Sequence, residues 1–298
     1  MVWPTIIVDA AMPSRLLISW FALWLVMPLG FLMPLGPPAA AAEVVQDLYR
    51  GQAIVTGQDN PSERERGVRE SLIQVLIKVS GDPRLAADPR VPAVLDQAFA
   101  GVIALDYEDR LAKKKLMDEQ GTRERSYVLR VDFDPVTINS ILTGLGQAPW
   151  GPLRPTVLVL LSVRDLAGSY VLAAKGDRGY SQRESLLSAA DKRGLPVVLP
   201  EGVADPGKDF VGADVISNGP GRIETLRDAY AADQVLTGTM SLTADGTWET
   251  AWRLRGPDGK DAAWQVGPGS FDKAMLSGIE GTAWRLASGE DQAEKDLR

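Results

Sequence analysis

Two pairs of carboxylates are the residues whose types and spacing could support catalysis. Asp132 and Asp134 lie two residues apart, as do Asp106 and Glu108. Side chains two apart share one face of a strand, so a strand would place the carboxylates of Asp132 and Asp134 side by side. Such pairs perform acid–base chemistry, and in glycan hydrolysis they work at separations of roughly 5–10 Å. For Asp134 we favour the alternative interpretation, a cap on the helix that follows it.

The residue types that are missing exclude much other chemistry. The chain has no His and no Cys. A Ser-His-Asp triad, a thiol nucleophile, a disulfide and the usual zinc sites are therefore excluded. Oxygen ligands alone could hold calcium, but the sequence has no calcium-loop pattern. We predict no catalytic residues, no metal site and no cofactor.

Three further groups of residues have both a functional and a structural interpretation, and we favour the structural one for each. A Gly-rich turn before a helix could bind an anion through backbone amides, although its spacing matches no phosphate loop. Four Trp residues could form a sugar or peptide platform, but Trp at strand spacing is more often core. A run of charges fits a solvated helix face. These groups are Asn218, Gly219, Pro220, Gly221 and Arg222; Trp248, Trp252, Trp264 and Trp284; and Glu63, Arg64, Glu65, Arg66, Arg69 and Glu70.

The start of the chain is organised like an export signal. Arg15 precedes an apolar run over residues 16–35, and four Ala residues at 39–42 precede polar Glu43. A basic residue, an apolar stretch and small residues at the end are the three parts of a cleaved signal peptide. We predict a periplasmic protein cleaved between Ala42 and Glu43. The alternative is an inner-membrane anchor, because the apolar run approaches the ~20 residues that span a bilayer.

The remaining chain is predicted to hold two small α/β domains. Its net charge of −7 disfavours nucleic-acid binding, which needs a basic patch. A Pro-rich stretch marks a linker between the domains. The predicted divisions are 1–42 as signal peptide, 43–148 as N-terminal α/β domain, 149–155 as linker, 156–289 as C-terminal α/β domain and 290–298 as frayed tail.

The elements of the first domain follow from capping signals and apolar spacing. Residues 44–57 are predicted to form a strand or strand pair. Asn60 and Pro61 begin a helix that Gly81 ends. A second helix is predicted from Pro92 to Ala104, followed by a charged connection over 106–110 and 113–121. The last predictions for this domain are a strand over 125–133 and a helix over 135–145.

The second domain is predicted to be an α/β sandwich (α+β) with helices packed on a mixed sheet. The apolar run TVLVLLSV, residues 156–163, is typical of a strand buried on both faces. The predicted order from there is β-α-β-α, then a three-stranded meander and a final helix over 271–287.

The register of the meander follows from its two loops, which both end in Asp-Gly. Ala244-Asp245-Gly246 and Pro257-Asp258-Gly259 fit three-residue hairpin loops that end in a left-handed Gly. A two-residue loop would move the apolar side chains out of alignment. The predicted partners are Leu242 with Trp248, Met240 with Thr250, Gly238 with Trp252, Leu236 with Leu254, Trp252 with Trp264, and Arg255 with Asp261.

Several segments carry a family resemblance. They are LIQVLIKVSGDPR at 72–84, YVLRVDFDPVTINSILTGLG at 127–146, Trp150 with Arg154-Pro155, and DQVLTGTM at 233–240 with the Trp-x-x-x-Trp strand after it. They resemble an uncharacterised bacterial family, the domain of unknown function 2066. The second half also resembles, more weakly, TolB amino-terminal modules and penicillin-binding-protein activators. The resemblance implies no activity or catalytic residues; the weaker one implies binding to envelope partners, at the level of fold alone.

The function we predict is that of a non-catalytic envelope adaptor that binds another envelope protein. The absence of His and Cys lowers the expectation of an enzyme, and no motif places a nucleophile beside a base. Two alternatives stay open: a carboxylate-based hydrolase acting on glycans, and a binder of a small ligand between the domains. The sequence indicates neither the partner nor the oligomeric state.

Overall fold

Helices cover two β-sheets in this protein. The computed structural model describes residues 42–110, 125–201 and 220–289, and these ranges all lie within one compact unit. Residues 1–41 of the expected leader, the 113–121 connection and the expected tail at 290–298 lie outside the described residues. The α/β class is confirmed, with these elements: β1 Glu43–Val44, β2 Arg50–Thr56, α1 Pro61–Ser80, α2 Val91–Leu95, β3 Val102–Asp109, β4 Ser126–Phe133, α3 Pro135–Gly144, β5 Leu153–Arg154, β6 Val157–Asp165, β7 Gly168–Val171, α4 Tyr180–Arg193, β8 Val197–Val198, α5 Pro220–Ala229, β9 Gln234–Leu242, β10 Trp248–Arg255, β11 Asp261–Gly269 and α6 Phe271–Ser288.

The first sheet is antiparallel, in the order β2-β4-β3, and α1 packs on one of its faces. Two glycines allow this close packing. A Cβ on Gly51 would lie 2.4 Å from the carbonyl oxygen of Ser71, and one on Gly67 would lie 2.7 Å from Val55 Cγ1. The helix and the sheet therefore meet at a distance that larger side chains would not permit.

The ends of α1 are those that the sequence predicts. The side chain of Asn60 accepts a hydrogen bond from the backbone N–H of Glu63, and Pro61 is the first helical residue. Gly81 ends the helix in the left-handed conformation, φ 76°, and its N–H donates to the carbonyl oxygen of Ile77. The helical apolar positions predicted for this segment are buried.

The second sheet is mixed and six-stranded, in the order β11-β10-β9-β6-β7, with β8 beside β6. Strand β6 runs parallel to β8 and β9, and the other pairs are antiparallel. Helices α4 and α6 bury one face and α5 packs on the other. Because α5 packs on the face opposite to α4 and α6, β6 is covered on both sides, as its unbroken apolar run predicts.

The meander register is confirmed at every predicted pair. Gly246 and Gly259 have φ of 82° and 76°, the left-handed conformation that places Gly at the end of each loop. The two loops thereby put Trp252 and Trp264 on the face that packs against α6.

The predicted second helix is wrong over most of its length. Only Val91–Leu95 is α-helical, a 3₁₀ turn spans Ala98–Gly101, and β3 then begins. The predicted charged connection at 106–110 is mostly the end of that strand. Pairing with β4 through an antiparallel ladder determines this conformation, which local helical spacing could not indicate. A short strand, β7, was also not predicted; it forms a hairpin with β6.

Each half of the chain has its own hydrophobic core, one formed by residues between 48 and 145 and the other between 157 and 279. The short ribbon of β1 and β5 pairs Glu43 with Arg154 and so joins the start of the described chain to the predicted linker. The division into two domains stays a prediction. Within the described ranges, no helix combines the length and the apolar character needed to cross a bilayer.

Candidate functional site

In the structure, the two carboxylates of the first predicted pair, Asp132 and Asp134, have different roles. Asp132, on the exposed face of β4, receives hydrogen bonds from Arg50 Nε at 2.5 Å and Nη2 at 3.0 Å. Asp134 instead caps α3, accepting from the Thr137 hydroxyl at 2.6 Å and from its backbone N–H at 2.9 Å. The cap that we favoured from the sequence is therefore present. Each carboxylate has its own donors, an arrangement that differs from a proton-sharing pair.

The cap gives a testable pH dependence. Hydrogen bonds from Thr137, the hydroxyl first and then the backbone N–H, lower the pKa of Asp134 below its usual value. A carboxyl whose pKa is lowered by folding stabilises the protein at neutral pH, and that contribution is lost as the pH falls through its folded pKa. We expect Asp134→Ala to lower the urea midpoint at pH 7 and to have a smaller effect at pH 3. An equal effect at both pH values would contradict this account.

The second predicted pair shares a cation. Asp106 and Glu108 lie on the exposed face of β3, and Asp106 is the register partner of Arg130 on β4. Arg130 Nη1 lies 3.6 Å from Asp106, and its Nη2 donates to Glu108. Both carboxylates remain largely exposed, with 73% and 56% of their side-chain area accessible. One guanidinium thus serves two carboxylates, and this part of the sheet stays negative.

The Trp residues pack within the protein, three of them in the core of the second sheet. Trp252 is 2% exposed, and Trp284 is 9% exposed. Trp264 donates its indole N–H to the carbonyl oxygen of Ser277, and the guanidinium of Arg285 lies 4.1 Å above its ring. Trp248 packs at the margin of the same core. We find these rings engaged with the protein itself, as the structural interpretation expects.

The remaining two groups from the sequence are the Gly-rich turn at 218–222 and the charged run at 63–70. Asn218 and Gly219 lie outside the described residues, and α5 begins at Pro220, so Gly221 and Arg222 are in its first turn.

The helix face at 63–70 carries surface ion pairs: Arg66 with Glu63 and Glu70, and Arg69 with Glu65 and Asp96. Pairs of this kind stabilise a helix only slightly.

An exposed strand edge is the feature that we did not predict from the sequence. Strand β4 pairs with one side of β3, and among the described residues no strand pairs with its other side. Ile103 is 67% exposed at a bulge in this strand, and Leu105 is 37% exposed although it lies opposite the fully buried Val131. A strand edge offers a row of backbone donors and acceptors, and proteins usually cover or disrupt such edges.

Two more exposed apolar side chains flank the start of β3. Phe99, in the 3₁₀ turn just before the strand, is 49% exposed, and Val136, in the first turn of α3, is 76% exposed. The backbone N–H of Asp134 donates to the carbonyl oxygen of Gly101, which holds the start of α3 against the start of β3. We use the name β3 edge for Phe99, Ile103, Leu105, Asp106, Glu108 and Val136.

The β3 edge has an apolar part and an acidic part. Residues 102–105 of the strand, Val-Ile-Ala-Leu, are apolar, and residues 106–109, Asp-Tyr-Glu-Asp, are mainly acidic. Tyr107 points to the core, where its ring meets that of Tyr127 edge-on at 6.2 Å. The alternation of Leu105 and Tyr107 with Asp106 and Glu108 was the sequence signal for this strand; the prediction of a helix through Ala104 obscured it.

Comparison with known proteins corrects the family resemblance. Residues 42–151 match the family model described as a domain of unknown function, DUF8605. The resemblance to the domain of unknown function 2066 is therefore wrong, and the expectations from the weaker likeness to TolB-type and activator modules are withdrawn with it. No curated protein matches this chain.

Eight chains of solved structure match this protein. One is the crystal structure of lipoprotein GNA1162 from Neisseria meningitidis, which is 17% identical to this chain. The alignment covers 45% of this chain and 99% of that one, with a TM-score of 0.22. A TM-score this low carries no argument about fold or function.

Proposed function

We propose that this chain is an exported, non-catalytic binding protein of the cell envelope, and that its β3 edge captures an extended segment of another envelope protein. The observation that carries the proposal is the β3 edge itself, an unpaired strand edge in the described chain with exposed Ile103 and Leu105. Addition of a partner strand to such an edge is a recurring mode of peptide recognition, in which backbone hydrogen bonds give affinity and side chains give specificity.

The two parts of the edge define the chemistry of the partner. A strand beside β3 would place its side chains next to Ile103 and Leu105, where apolar residues remove the most apolar surface from water. Farther along, it would pass Asp106 and Glu108, which share one guanidinium and so retain negative charge. A partner segment with apolar residues followed by Lys or Arg fits both parts.

The location and the lack of catalysis rest on separate arguments. An apolar run after Arg15, followed by small residues, supports export. The absence of His and Cys, together with the involvement of the candidate carboxylates in a cap and in ion pairs, supports binding without turnover.

Photo-crosslinking in cells tests this function. A photoreactive side chain at position 103 is expected to crosslink one envelope protein, whereas the same side chain at position 166 is not. Leu166 is the matched control because it is 96% exposed and lies in the turn between β6 and β7. Equal crosslinking from both positions would mean that exposure alone explains capture.

A pair of variants measures how much the edge contributes. We expect Leu105→Lys to weaken binding of the crosslinked protein by at least about tenfold, since it replaces a central apolar contact with a charge on an edge strand. Leu166→Lys makes the same chemical change elsewhere and is expected to leave binding unchanged. Circular dichroism establishes that both variants are folded; unchanged affinity in a folded Leu105→Lys variant would refute the proposal.

A further inference from the structure

A small cavity of about 110 Å³ lies where β2, α1, β4 and the end of α4 come together. Four cations line it, Arg50, Lys78, Arg130 and Lys192, together with the carboxylate of Asp47. Arg50 and Arg130 are ion-paired with carboxylates outside the lining, so the positive charge that is available to a ligand is that of Lys78 and Lys192. The cavity also lies between residues of the two halves of the chain, a common place for ligand sites.

Lys78 is the most unusual member of this cavity. It is 8% exposed, and its Nζ donates to the carbonyl oxygens of Asp47 at 3.1 Å and Arg50 at 2.9 Å. An ammonium group has three N–H donors, so one remains beyond these two contacts. Burial lowers the pKa of Lys78, and nearby Asp191 and Asp47 only partly offset that effect. A buried ammonium with an unused N–H donor is costly unless a further acceptor, such as an anion, compensates it.

The neighbouring groups add donors of the same kind. Lys192, exposed at the end of α4, forms no ion pair with any described residue. Gln74 accepts a hydrogen bond from the backbone N–H of Gln52 through Oε1, which leaves its amide NH₂ as a donor. The guanidinium of Arg50 is held in place by Asp132 and Asp47. The cavity therefore combines fixed and adjustable donors around one small volume.

We propose that this cavity binds a small oxyanion, a phosphate or a carboxylate group. Its volume is about that of three or four water molecules at ~30 Å³ each, which limits the bound part to a single such group. Lys and Arg are the side chains that bind these groups through charge-assisted hydrogen bonds. An anion here contacts the third donor of Lys78 and compensates its burial. The proposal is independent of partner capture at the β3 edge.

Thermal unfolding of the full mature chain tests the site with sodium phosphate and sodium acetate, against sodium chloride at matched ionic strength. At ten times its Kd, the bound anion is expected to raise Tm by roughly 3–6 °C, with saturation. A shift with phosphate alone identifies a phosphate site, and one with acetate identifies a carboxylate site. No shift beyond that of chloride with either salt would overturn the proposal.

Variants connect the shift to this cavity. Lys78→Met is expected to abolish the anion-dependent rise in Tm. Lys192→Met removes an exposed cation at the rim, should leave folding intact, and is expected to weaken anion binding about tenfold by calorimetry. Lys260→Met is the control, because Lys260 lies in the β10–β11 loop. An anion response that is unchanged in Lys192→Met would overturn the proposal. So would a response that is reduced as much in Lys260→Met as in Lys192→Met.

Discussion

Replacement of Arg154 by Met is expected to lower the free energy of unfolding by at least ~3 kcal/mol, measured by urea denaturation at pH 7. Arg154 is completely buried. Its guanidinium donates five hydrogen bonds, all to backbone carbonyls; the accepting oxygens are those of Lys78, Trp150, Gly151, Arg193 and Gly194. Met fills similar volume but leaves these acceptors without their donors.

The acceptors explain how a buried cation that forms no ion pair with any described residue is tolerated. Lys78 belongs to the last turn of α1, and Arg193 ends α4, so the guanidinium lies at the negative ends of two helix dipoles. The ring of Trp150 lies 4.0 Å from its Cζ and adds a cation–π contact. Burial lowers the pKa of Arg154 to about 10, so the group remains charged at neutral pH. Arg154 thus holds the ends of two helices from different halves of the chain.

Arg253→Met is the matched control for this experiment. Arg253 is 54% exposed, and its ion pair with Asp261 is on the surface, so the variant is expected to lose less than about 1 kcal/mol. A similar loss in both variants would contradict the role assigned to Arg154. Arg154→Lys should also be strongly destabilising, because an ammonium with three donors cannot replace a five-donor guanidinium.

Gly238→Ala is the second large effect that we expect, with a loss of roughly 1–3 kcal/mol or more in the free energy of unfolding. A Cβ at position 238 would lie 2.5 Å from two ring carbons of Trp252, and 2.9 Å from Leu161 Cδ1. The ring cannot move away, because its other side meets Gly278 of α6. A Cβ there would lie 2.7 Å from Trp252 Cε2. Trp252 therefore fills the space that two glycines leave between sheet and helix.

Gly267→Ala separates this packing effect from the general properties of glycine in strands. Gly267 lies in β11, and a Cβ there would meet nothing within 4 Å. Alanine at that position is expected to be neutral or slightly stabilising, since it reduces the freedom of the unfolded chain. Equal destabilisation by the two substitutions, measured by thermal and urea unfolding, would show that Trp252 is not confined as described.

Local signals made much of this fold predictable. The Asn60-Pro61 start and Gly81 end of α1 follow from capping chemistry, which involves only adjacent residues. The meander register follows from two three-residue loops that end in Asp-Gly, since loop length fixes which residues pair. The caps and the register are therefore determined within about ten residues of sequence.

The features with the most functional interest depend on contacts distant in sequence. Strand β3 pairs with β4, which is distant in sequence. The alternation at residues 105–108 indicates a strand, but within residues 92–104 no local pattern distinguishes the start of that strand from a helix. In the sequence, Arg154 stood out only as part of the segment from Trp150 to Pro155 that carried the family resemblance. Charged residues are seldom fully buried, so its five carbonyl partners, up to 76 residues away, could not be anticipated. The cavity around Lys78 likewise combines residues of four elements that are distant in sequence.

Hydrogen exchange on the complex with the crosslinked partner tests the central claim most directly. If a partner strand pairs with β3, the amides of Val102–Asp109 that point away from β4 are expected to become protected on binding, because they form new hydrogen bonds. The amides of β11, the edge strand of the other sheet, serve as the internal reference and should not change. Protection at β11 or on a helix face, with β3 unchanged, would contradict partner capture at the β3 edge.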